Sequence, residues 1–178
     1  MFVSWTHSTR TLTSVSGGGL TWTVDRQQKA AGNNARVAIA SAAAPTGLAS
    51  GVVLTATFSG PVTHGLIAAT SFTGIATSAP VDATAGATGT GTAWTASATT
   101  TNANDLVLGF STIDANATST ATAPNTEIHD FGNTSYYGWA TSVYRIETTT
   151  GAKTTSGTWS TSSGSTGNVT IAVAYKAG

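Results

Sequence analysis

The sequence predicts an all-β fold, a two-sheet antiparallel β-sandwich, and three observations carry that prediction. Apolar and polar residues alternate with period two over several short stretches, the pattern of a strand with one buried face. Threonine supplies about a fifth of the 178 residues, and β-branched side chains fit a half-buried pleated surface. Turn residues recur at short intervals between the alternating stretches.

In chain order, Phe2–Thr6 and Thr11–Val15 are the first strands, closed by Gly17-Gly18-Gly19. Leu20, Trp22 and Val24 then point one way, and Thr21, Thr23 and Asp25 the other. Asp25 to Ala31 contains helix-forming Gln, Lys and Ala, but Gly32-Asn33-Asn34 follows, so Leu20–Lys29 and Arg36–Ala40 read as a hairpin. Val52, Leu54, Ala56 and Phe58 alternate with Val53, Thr55 and Thr57. His64–Phe72 and Thr92–Thr99 are further strands, while the Gly/Ala/Thr-rich stretch from Ala83 to Gly91 reads as a loop. Leu106–Ile113 is a near-continuous apolar run, as in a central strand covered on both faces. Glu127–Phe131, Tyr136–Glu147 and Thr158–Ser160 follow. In the last strand Val169, Ile171, Val173 and Tyr175 oppose Thr170, Ala172 and Ala174, which predicts one buried face. About ten strands with turns every 8–12 residues argue for a sandwich or jelly roll. With no internal repeat and no linker, residues 1–178 read as a single domain.

Composition narrows the function classes. The chain has no cysteine, which excludes disulfides and thiolate metal sites. Its seven basic residues are scattered and the net charge is zero, whereas binding a phosphate backbone needs clustered cations; nucleic acid is not an expected partner. No apolar run reaches membrane-spanning length. Met1 to His7 has no basic segment followed by a long apolar stretch, so no signal peptide is expected. A nearly neutral Thr/Ser surface suits packing against other subunits and hydrogen bonding to sugars equally well.

Catalytic patterns are sparse. His7, His64 and His129 have no spacing that sets two imidazoles on one face. On a regular strand Glu127 and His129 share a face while Asp130 points away, which reads as polar surface rather than a metal pair. Asp105, after Asn104, and Asp114, after Ile113, sit where turns recruit Asp to bond the backbone. Asp114-Ala115-Asn116 offers two oxygens where Ca²⁺ needs about six to eight. No Gly-x-Ser-x-Gly elbow and no phosphate loop is present. No catalytic residue, metal or cofactor is therefore expected, and the protein reads as a non-enzyme.

Aromatic side chains are the remaining candidates for binding, since flat rings supply apolar area and polar tips can hydrogen bond. Trp22 falls on the buried face of its strand. Tyr137 and Trp139 share one face of theirs, and Tyr136 and Tyr144 share the other. Trp94 and Trp159 flank Thr/Gly-rich loops. Trp94, Trp159, Tyr137 and Trp139 are the candidate ligand-binding set, for subunits or glycans.

The order of Ser14-Val15-Ser16-Gly17-Gly18-Gly19-Leu20-Thr21-Trp22-Thr23, Arg36-Val37-Ala38-Ile39, Val53-Leu54-Thr55-Ala56-Thr57-Phe58, Phe72-Thr73-Gly74-Ile75, Pro80-Val81-Asp82 and Asn104-Asp105-Leu106-Val107-Leu108-Gly109 resembles jelly-roll-like sandwich domains of phage structural proteins and bacterial surface proteins. The resemblance implies a capsid decoration or fibre component on a virion or extracellular surface, making homo-oligomeric or lattice contacts. The alternative is a carbohydrate-binding or adhesion module of a secreted bacterial protein. Domains of this group carry further strands before the segment matching Phe2-Val3-Ser4-Trp5. That implies an uncovered sheet edge there, which a neighbouring subunit would pair.

Overall fold

The computed structural model describes residues 1–32, 34–134, 138–162 and 167–178, and among these the alternating sequence forms strands and no helix. Fourteen strands run in order: β1 (Phe2–Thr6), β2 (Leu12–Ser16), β3 (Thr23–Lys29), β4 (Ala35–Ser41), β5 (Thr55–Phe58), β6 (His64–Ala68), β7 (Val81–Gly89), β8 (Ala93–Thr100), β9 (Leu106–Ile113), β10 (Ser119–Ala121), β11 (Thr126–Asn133), β12 (Gly138–Ile146), β13 (Gly151–Trp159) and β14 (Asn168–Tyr175). Every pairing between them is antiparallel. They form four hydrogen-bonded sheets, in the orders β2-β5, β3-β4-β1-β6, β11-β12-β9-β14-β7 and β10-β13-β8.

The sheets stack as layers because alternate residues of each inner strand feed different cores. Val3, Trp5 and Leu12 pack with Ala38 and Ala40 between the two-stranded and four-stranded sheets. Phe2, Val37 and Ile39, on the opposite face, meet Leu108, Phe110, Ile171 and Val173 of the five-stranded sheet in the main core. Rings of Phe2 and Phe110 meet there at 5.3 Å. Burying a side chain of this size contributes about 1.5–3 kcal/mol.

The far face of the five-stranded sheet is lined by small residues and carries the three-stranded sheet. Ala96, Ala98 and Ala172 form one part of that contact, and Trp94, Trp159, Ile113 and Val143 the other. Gly109 admits Thr155, whose Cβ would lie 2.6 Å from any Cβ at that glycine.

Leu106–Ile113 is covered on both faces, as its apolar run implies, and the hairpin of β3 and β4 replaces any helix after Asp25. Several expectations are corrected. Fourteen strands in four sheets replace about ten strands in two. Ala83–Gly91 is not a loop: most of it is β7, an edge strand of the central sheet, whose Ala83, Ala85 and Ala87 pack as small core residues. β14 is buried on both faces, not one, because Thr170, Ala172 and Ala174 are small enough for another sheet to close over them. Phe2–Trp5 is no open edge, since β1 lies between β4 and β6.

Candidate functional site

A cleft of about 1250 Å³ opens at one end of the main core, where β3 and β7 begin and β4 and β14 end. A bulge between Val24 and Arg26 leaves Asp25 without a partner in the β3–β4 ladder; bulges re-aim side chains in this way. The Asp25 carboxylate lies at the cleft floor and accepts a 2.6 Å bond from the Tyr175 hydroxyl. Burial raises the Asp25 carboxyl above the usual range, and hydrogen bonds from Tyr175 and Ser41 pull it back. Burial and the Asp25 charge push the Tyr175 hydroxyl well up, so it stays a donor.

Phe72 stands in the wall, its ring 5.8 Å from that of Tyr144. Thr21, Thr23 and Thr73 share the rest of the lining with apolar residues such as Leu20, Pro45 and Ile75, and Asp25 is the only carboxylate among the lining residues. A single carboxylate held by two hydroxyls is not a hydrolytic carboxylate pair. Acceptor oxygens, hydroxyl donors and an aromatic wall match a neutral ligand rich in hydroxyl groups.

Charged side chains gather beyond the same end of the central sheet. Glu147, nearly buried, pairs with Arg145 and with Lys153, the latter at 2.9 Å. These partners hold the Glu147 carboxyl below its ordinary value against burial. The Asp82 carboxylate accepts from Thr101 N and Oγ1 and from Asn102 Nδ2, each at 2.6 Å, and from Asn102 N at 3.1 Å. Asp82 therefore performs the turn bonding expected of Asp105. Asp105 itself is fully buried, and among the described residues no donor reaches either of its oxygens.

The aromatic candidates are not brought together on a surface. Trp94 and Trp159 are 1% and 2% exposed, which leaves neither ring a face to offer a ligand. Trp94 Nε1 donates to Ser119 Oγ at 3.2 Å, whereas Trp159 Nε1 has no acceptor among the described residues. Both rings fill the space between the five-stranded and three-stranded sheets, which is why loops flank them without exposing them. Trp139 is half-buried against the same cluster and lies over Gly132. Tyr137 lies outside the described residues.

A second bulge, between Glu127 and His129, overturns the expected sharing of a face. Glu127 now pairs with Val143, and His129 with Ser142, on opposite sides of β12. Asp130 falls on the Glu127 side, and its charge adds to the burial that raises the Glu127 carboxyl. His129 Nδ1 lies 2.8 Å from Ser142 Oγ, and its ring meets Phe2 and Phe131 edge-on. His7 Nδ1 accepts from Thr9 N and Arg10 N in a tight turn. His64 and Asp114 both line a small crevice of about 30 Å³, room for little more than a water. Among the described residues no three His, Cys, Asp or Glu converge as metal ligands, and no helix is long and apolar enough to cross a membrane.

No signal in the period-two pattern marks Asp25, because the alternation counts it as one more outward residue. Only the long-range approach of Tyr175 makes it a floor. Comparison of the chain with protein-family models, with curated proteins and with solved structures gives no match.

Proposed function

We propose that this chain is a non-enzymatic structural module of a virion or extracellular surface, working through contacts with other subunits. The observation that carries the reading is strand β6. Among the described residues it is the outer strand of its sheet, hydrogen-bonded to β1, and its Ile67 is 48% exposed. An outer strand that carries an exposed apolar side chain is a template for a neighbouring chain. The near absence of surface charge leaves copies little mutual repulsion. Face-to-face packing of the two largest sheets also supports the jelly-roll-like sandwich class.

Immunogold electron microscopy of the native source tests this reading; a repeating array is expected, and scattered single molecules refute it. Sedimentation at high micromolar concentration should show self-association that Ile67→Lys abolishes. A monodisperse wild-type monomer counts against the subunit contact.

The cleft favours a second reading, a carbohydrate-binding or adhesion module. On a glycan array, binding should be lost in Asp25→Asn and Phe72→Ala and kept in Trp139→Ala. Binding that survives the first two changes removes the cleft from consideration.

A further inference from the structure

We propose that Asp82 and Asp105 share one proton as an acid–carboxylate pair, forming a proton-binding site at the end of the central sheet. β7 carries Asp82 at a bulge, since Val81 pairs with Tyr175 and Ala83 with Ala174. Asp105 immediately precedes β9 and is held there by its own carbonyl, which accepts from Glu147 N at 2.8 Å. Tyr175 pairs with Val81 on one side and with Leu106 on the other, which sets Asp82 and Asp105 at the same end of the sheet, and the turn that Asp82 holds at Thr101 and Asn102 leads into Asp105.

Their surroundings are opposite. Asp82 has four N–H and O–H donors, which fix it as the carboxylate. Asp105 is fully buried, and among the described residues no N–H or O–H reaches either oxygen. An ionised Asp105 would be a buried anion against a second anion, without a donor. A protonated Asp105 instead donates to Asp82.

The cations nearby do not serve as its partners. Lys153 and Lys176 attract the Asp105 charge only from a distance. Lys153 is engaged by Glu147 and Thr149, and Arg145 by Glu147. Burial and Asp82 together push the Asp105 carboxyl up to about 6, while the donors around Asp82 hold that carboxyl far below its ordinary value.

The sign follows from linkage. A folded-state affinity for the proton above the unfolded one gives stability that is complete below about pH 4 and is lost as pH rises to about 6. Asp82 acts oppositely, its contribution being present above about pH 4 and lost in stronger acid. Asp25, Asp114, Glu127 and Asp130 also have raised carboxyls, so the contribution of Asp105 has to be read against a variant.

The experiment compares wild type with Asp105→Asn by denaturant unfolding from pH 4.5 to 7.5, alongside ¹³C NMR titration of the Asp105 carboxyl. The Asn side chain donates permanently in place of the acid. The folding constant of wild type should fall relative to the variant by up to about 30-fold across that range, most of it between pH 4.5 and 6. The wild-type resonance should titrate near pH 6, and in Asp82→Asn its midpoint should move down toward the ordinary range. The NMR titration stands even where Asp105→Asn does not fold. A midpoint below about 4.5, or equal pH dependence in wild type and Asp105→Asn, overturns the proposal. Calcium chloride that stabilises wild type at pH 7.5, but neither Asp variant, also overturns it, because the pair would then hold a cation in place of the proton.

Discussion

Two strand glycines, Gly109 and Gly65, should respond to alanine with opposite signs. Neither has a positive φ, so the backbone accepts alanine at both, and the relief of glycine entropy favours alanine by about 0.5–1 kcal/mol. At Gly65, on the outer strand β6, the nearest atom to a new methyl is Ser4 O at 3.8 Å. Gly65→Ala should therefore stabilise by roughly that amount. At Gly109 the methyl would sit 2.6 Å from Thr155 Cβ and 2.8 Å from Val143 Cγ2. Thr155 is fully buried, so it can yield only by parting two sheets. Overpacking of this kind costs about 1–3 kcal/mol, which outweighs the entropic gain. After the offset, Gly109→Ala should lose up to about 2.5 kcal/mol, or up to ~10 °C in Tm for a chain of this size. Urea unfolding of both variants gives the comparison directly. Should Gly109→Ala prove as stable as Gly65→Ala, the close contact between the five-stranded and three-stranded sheets is wrong.

Three further outcomes follow from the same structure. Trp94→Ala should destabilise by about 3–5 kcal/mol, as expected for emptying a filled core site; guanidinium denaturation with an unchanged midpoint would place the ring outside the core. Lys153→Met should cost about 1–3 kcal/mol at pH 7, below the loss of an isolated buried pair because Arg145 still faces Glu147. Since the Glu147 carboxyl is held down in the fold, that cost should shrink as pH falls below about 4, and a pH-independent cost in thermal melts refutes the pairing. Tyr175→Phe should cost about 1.5–3 kcal/mol while Asp25 is ionised. Burial raises the Asp25 carboxyl, so the cost should shrink as pH falls and Asp25 takes up a proton; a cost independent of pH would contradict the charged bond.

Sequence alone determined where most strands lie and that they form antiparallel sheets, because side-chain alternation is written locally. β1 and β9 match their predicted bounds, and the turn glycines separate the predicted strands. It also determined that Leu106–Ile113 is central, since only a strand covered on both faces tolerates such a run. What the pattern could not register is that alanine, threonine and glycine also make a core when sheets approach closely. Ala83, Ala85 and Ala172 therefore read as loop or surface, and Trp94 and Trp159, which fill the gap beside them, read as candidates for binding at a surface. Only the tertiary structure decided the chemistry at Asp25, Asp82 and Glu127. Each lies at a bulge, where one added residue reverses the direction of a side chain without altering the composition around it. Their partners, such as Tyr175 for Asp25, arrive from strands distant in sequence.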